Sequence, residues 1–119
     1  MPLVAAALAG VTGIALGAFG AHALRARLDE AQLAIWHTAV LYHLIHALAL
    51  LALALFARAT GRSVVLPSAL FTAGIALFSG SLYLLALTGW RWLGPLTPLG
   101  GVAFLVGWLS LLWLARAPH

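Results

Sequence analysis

The side chains able to do chemistry are concentrated in one short segment. His37, Thr38, Tyr42, His43 and His46 all fall between Trp36 and Ala47. Neutral imidazole is the commonest metal ligand, so three histidines together raise a metal or haem reading. On a helix, at about 100° and 1.5 Å per residue, His43 lies about 60° from His46, whereas His37 lies about 180° away and some 13 Å along the axis. A straight helix cannot aim all three at one ion. A metal site would therefore use His43 and His46 with further ligands from another helix, His22 being a candidate. Asp29 and Glu30 are the only carboxylates and cysteine is absent, so thiolate sites, disulfides and a cysteine nucleophile are excluded. No cofactor is predicted; metal or haem binding stays as an alternative.

The same residues also read as packing. Thr38, Tyr42 and His46 recur at i, i+4 and i+8, one face of a helix, and Thr72, Ser79 and Tyr83 form a comparable stripe later in the chain. The expectation is a hydrogen-bonded contact between the two stripes, with His46 and Ser79 at similar depth. His22 stands at the end of an apolar segment, where a histidine interacts well with free carbonyls and the helix dipole. His119 is terminal and expected to be solvated. Asp29 and Glu30, side by side before the next apolar run, suit a helix N-terminus better than an acid–base pair. Ser79 and Ser81 have no evident base, so no catalytic residue is assigned and the chain is expected not to be an enzyme.

The elements that must hold these residues follow from composition. Of 119 residues, 65% are hydrophobic and 7% charged, against roughly 25% charged in soluble domains. Charged residues occur only at Arg25, Arg27, Asp29, Glu30, Arg58, Arg62, Arg91 and Arg116, leaving 1–24, 31–57, 63–90 and 92–115 uncharged. About 20 apolar residues of helix cross a hydrocarbon core, and backbone polar groups in lipid must be satisfied within the segment. The spacing predicts an all-α integral membrane four-helix bundle with short loops, one domain over 1–119, and helices at about 3–24, 33–57, 66–90 and 97–115. The first segment reads as a membrane helix and not a cleaved signal, since no positive residue precedes its apolar run. The net charge of +4 comes from arginine alone, fits anchoring to lipid head groups, and forms no basic patch of the kind nucleic acid requires. Three arginines at each end leave the orientation open. Trp36, Trp90 and Trp92 near one interface and Trp113 near the other suggest an aromatic belt.

In lipid, small residues that let backbones approach become the packing signal. Gly10, Gly13, Gly17 and Gly20 share one face of the first helix. Gly100, Ala103, Gly107 and Ser110 repeat that spacing in the last, and Ala69, Ala73, Ala76 and Gly80 line a third. Internal packing is the expected use; a dimerisation seam is the alternative.

Four motifs in order also carry a resemblance: Gly17-Ala18-Phe19-Gly20-Ala21-His22; Thr38-Ala39 with Tyr42 and His46-Ala47-Leu48; Leu77-Phe78-Ser79-Gly80-Ser81-Leu82-Tyr83; and Thr97-Pro98-Leu99-Gly100-Gly101, continuing through Gly107 and Trp108. The chain resembles the YgdD-like family of small bacterial inner-membrane proteins, a domain of unknown function with a distant mitochondrial relative. The resemblance implies four transmembrane helices, a multi-pass place in the bacterial inner membrane and no established activity. It covers His22, Tyr42, His46, Ser79, Ser81 and Tyr83, but not clearly His37 or His43. The leading functional expectation is a non-enzymatic protein that packs in lipid against a larger membrane complex or its own copies. The alternatives are a small-solute or proton carrier built on the stripe around His46, and the histidine-ligated metal or haem binder.

Overall fold

The computed structural model describes residues 2–116 of the chain. Four helices are long and apolar enough to cross a membrane: α1 (Pro2–His22), α2 (Glu30–Thr60), α3 (Val65–Thr88) and a last span, Arg91–Arg116, that opens with a 3-10 turn at Arg91–Leu93 and continues as α4 (Leu96–Arg116). No strand occurs among the described residues.

Local chemistry sets the ends. Asp29 caps α2, its carboxylate accepting from the Gln32 N–H at 2.7 Å while the Gln32 side chain accepts from the Asp29 N–H at 2.9 Å. This reciprocal box satisfies two otherwise free donors and starts α2 at Glu30, ahead of the 33 expected from hydropathy. At the other end Gly61, at φ 72°, takes the left-handed conformation and its N–H closes on the Ala57 carbonyl. Gly89, also at φ 72°, ends α3 the same way at Thr88.

The helices form two hairpins joined edge to edge. α1 packs along α2 and α4 along α3, while α2 and α3 meet in the centre. Among the described residues α1 makes no backbone approach to α4, nor α2 to α4. One apolar core holds Leu50, Leu53, Phe71 and Phe104; the other holds Trp36, Ala39, Tyr83 and Ala86.

Glycine makes the α1–α2 contact close. A methyl at Gly13 would meet Leu44, at Gly17 Val40, and at Gly20 the Trp36 indole. Gly10 belongs to the same spacing but faces open space, so the seam stops one turn short of the expectation. In α4, Gly100 rests on the backbone of Phe78 and Gly107 on the Phe71 ring, with Ala103 half-buried between them.

The α3 seam departs from the expectation. Ala69, Ala73 and Ala76 are exposed, and Gly80 meets only a carbonyl of its own helix. The close-packed glycine of α3 is Gly74, whose missing side chain admits the Phe104 ring. A π-helical turn at Ile75–Ser79, in which the Gly80 N–H bonds the Ile75 carbonyl five residues back, separates Gly80 from the alanines before it. One extra residue in the turn rotates everything after it relative to everything before, so a regular helical spacing no longer marks one face.

A mid-membrane polar layer as the candidate functional site

Two histidines one turn apart on α2 sit near the middle of their helix and are almost fully buried, His43 at 4% and His46 at 3% exposure. They point into different surroundings.

His43 bridges three helices. Its Nε2 lies 3.0 Å from the Thr12 hydroxyl on α1 and its Nδ1 2.8 Å from the Tyr83 hydroxyl on α3. Thr12 also donates to the Leu8 carbonyl at 2.8 Å, using its only proton. The assignment that satisfies every group runs one way: Tyr83 O–H donates to Nδ1, Nε2–H donates to Thr12, and Thr12 donates to Leu8. Such a chain polarises each bond in turn and is costly to leave half-made in a low dielectric. Trp36 closes it from the side, its ring 4.7 Å from that of Tyr83 and its Nε1–H donated to the Leu16 carbonyl at 2.9 Å.

His46 faces the other hairpin. Its ring stacks on Phe104 at 3.7 Å, meets Phe71 edge-on at 5.2 Å and accepts at Nε2 from the Trp108 indole N–H at 3.0 Å. Its Nδ1 donates to the Tyr42 carbonyl at 2.8 Å. Because indole only donates and a carbonyl only accepts, these partners define a neutral imidazole protonated at Nδ1.

The expected pairing of the two polar stripes is therefore corrected. His46 bonds α4 and not the stripe of α3. Thr38 is exposed and bonds back to Ala34 of its own helix, and Thr72 does the same to Ser68. Tyr42 is 38% exposed and offers its ring to Phe78, 4.7 Å away. The bonds that do join α2 and α3 are His43 to Tyr83, Ser79 Oγ to the Ala39 carbonyl at 2.8 Å and Gln32 Nε2 to the Ala86 carbonyl at 3.1 Å. Ser79 and Tyr83 thus face inward as expected, while Thr72, on the far side of the π turn, does not.

His43 and His46, the candidate pair of metal ligands, turn to different partners. His43 reaches toward α1 and α3, His46 toward α4, and all four ring nitrogens are engaged with protein partners. Among the described residues no three His, Cys, Asp or Glu side chains gather at one point. His22 is exposed at the last residue of α1, where the carbonyls of the helix end are free, and His37 is exposed on the outer face of α2. His119 lies outside the described residues.

Sequence reasoning missed Thr12, Trp36 as an internal residue, and the link of Ser81 to Thr97 at 2.6 Å that ties α3 to α4. Thr12 carried a usable signal, since a polar residue in the middle of a membrane span needs a partner. Trp36 is 1% exposed and belongs to the core. The interfacial tryptophans are instead Trp90 and Trp92, stacked 6.0 Å apart, and Trp113 at the opposite end.

Four apolar helices that bury His43, His46, Ser79 and Tyr83 between them define a small multi-pass membrane protein. The family model described as "Protein of unknown function (DUF423)" matches residues 16–101, and the chain belongs to that family. It is similar to the UPF0382 membrane protein YwdK of Bacillus subtilis, 44% identical over 111 residues covering 92% of this chain and 90% of the relative. It is also similar to UPF0382 membrane proteins of Staphylococcus epidermidis, at 43% over 92% of this chain and 89% of the relative, and of Haemophilus influenzae, at 41% over 92% and 88%. No solved structure matches.

Proposed function

We propose that the protein is a non-enzymatic packing subunit of the bacterial cytoplasmic membrane, lying in lipid against the helices of a larger membrane complex or of further copies of itself. The observation that carries this reading is the outward face of α3, where Ala69, Ala73 and Ala76 are exposed. Ala69, Ala73 and Ala76 line an open groove beside Pro2 and Ala5 of α1. Close-packing residues that find no partner within their own chain suit a helix from outside. The relatives' sources, Bacillus and Haemophilus among them, and the helical spans support the cytoplasmic membrane as the location.

The carrier reading has less support. A path needs polar groups available to a passing solute, whereas those at mid-depth bond one another between aromatic rings. Purification at low detergent followed by mass spectrometry tests the packing reading. The expected result is a stoichiometric membrane partner or oligomer that is lost when Ala73 is replaced by Leu. A monomer with no co-purifying helix overturns it.

A further inference from the structure

The two gaps beside α2 differ at their mouths. Between α1 and α2 an apolar groove of about 420 Å³ is lined by Leu, Ala, Gly and Ile alone. Between α2 and α4 lies a cleft of about 530 Å³ whose walls include Ala52, Phe56, Leu111 and Leu114, with Trp108 at its inner end and Arg62 at its outer end. The cleft exists because α4 packs on α3 and not on α2; Phe71 of α3 forms its floor, and the Trp108–His46 hydrogen bond crosses it near mid-depth. From Leu114 to Trp108 it runs about 9 Å along α4, from the membrane interface toward the bilayer centre.

Arg62 is fixed there by two contacts. Its Nη2 donates to the Leu114 carbonyl at 2.5 Å, near the end of α4, and its guanidinium lies 5.8 Å from the Phe56 ring. A guanidinium carries five N–H donors in a planar fork that matches phosphate oxygens, so the bond to Leu114 positions it without exhausting it. Arg58 and Arg116 stand at the same end of the molecule, whereas the acidic side chains, Asp29 and Glu30, stand at the other.

We propose that the cleft between α2 and α4 binds one anionic phospholipid, with an acyl chain between the two helices and the head-group phosphate on Arg62. The proposal is independent of the packing reading above, since it needs no protein partner. The charge at the mouth selects the head group; the apolar walls hold the chain; and the Trp108–His46 bar limits how deep the chain can lie. The groove between α1 and α2, apolar throughout, lacks the first of these.

Native mass spectrometry of the delipidated full-length chain, offered phosphatidylglycerol and phosphatidylcholine with the same acyl chains, tests it. The expected result is one retained phosphatidylglycerol, favoured about tenfold over phosphatidylcholine, because both offer Arg62 the same phosphate but only phosphatidylcholine brings a cationic choline to an end that already carries Arg58, Arg62 and Arg116. Arg62→Gln removes that preference, and Arg91→Gln at the opposite end leaves it intact. Ala52→Trp fills the cleft while sparing the Arg62–Leu114 bond, and it lowers retention of both lipids; this variant keeps the test decisive where Arg62→Gln costs helix content by circular dichroism. Excess inorganic phosphate fails to displace the lipid. Equal retention of the two lipids by the unaltered chain, a preference unmoved by Arg62→Gln, retention unmoved by Ala52→Trp, or complete displacement by phosphate overturns the proposal.

Discussion

α2 has two flanks, and they are built on opposite rules. Toward α1 the contact is closed by absence: Gly13, Gly17 and Gly20 carry no side chain, so Leu44, Val40 and Trp36 fill the space and the backbones draw together. Toward α4 the contact is held apart by bulk, with His46, Phe104 and Trp108 meeting ring to ring across a gap no backbone crosses. In water both designs would be driven shut by apolar burial. In lipid, where association rests on packing and hydrogen bonds, an aromatic bridge can leave a cleft open to acyl chains. The difference teaches that in this fold glycine placement decides where the chain is solid and where lipid enters.

The comparison breaks most severely at Gly100, where the solid rule operates in the second hairpin. A methyl there falls on the Phe78 backbone, which cannot swing aside as a side chain would. Gly100→Ala is expected to destabilise the chain by about 3 kcal/mol, the upper range of overpacking, read from unfolding in mixed micelles. Loss of less than 1 kcal/mol, roughly the lower end of that range, would mean α4 can slide on α3.

The two histidines sharpen the contrast at a smaller scale. His43→Leu leaves the buried Tyr83 hydroxyl without its acceptor and is expected to cost about 1–2 kcal/mol. His46→Phe keeps a ring on Phe104 and loses only the bonds to the half-exposed Trp108 and to its own helix, so about 0.6 kcal/mol is expected, the usual size of one hydrogen bond between membrane helices. The same unfolding assay checks both, and a reversed order would place the structural polar centre on the α4 flank. Smallest of all is Gly10→Ala, which meets nothing within 4 Å. It should stay within about 0.5 kcal/mol of the parent, as surface substitutions do; a larger loss would show that the α1–α2 seam extends farther than its contacts.

The four spans were readable because charge spacing is a strong signal in lipid, and Asp29, Gln32, Gly61 and Gly89 explain the few residues by which the ends differ. Three of the four glycines of α1 also took their expected role. The polar stripe of α3 does not hold to one face because its helical period is interrupted. Thr72 and Ser79 share a face only on a regular α-helix, and nothing in Ile75-Ala76-Leu77-Phe78-Ser79 announces the π turn, within which Phe78 lies against Gly100. Trp36 lies near the end of its span, a position that in sequence suggests the interface, yet it is buried. Gly20, which makes room for its indole beneath α1, was visible in the sequence, but the pairing of the two was not.

α2 has 31 residues, whereas α1 and α4 have 21 each. At 1.5 Å per residue it is about 46 Å long, some 16 Å more than a typical hydrocarbon core, while its outer neighbours match that core closely. A helix so much longer than its bilayer must lean, carry its ends into the head-group region or thicken the lipid around it. In α2 the polar residues Glu30 and Gln32 at one end and Arg58 and Thr60 at the other suit the head-group region, so the excess belongs to its ends.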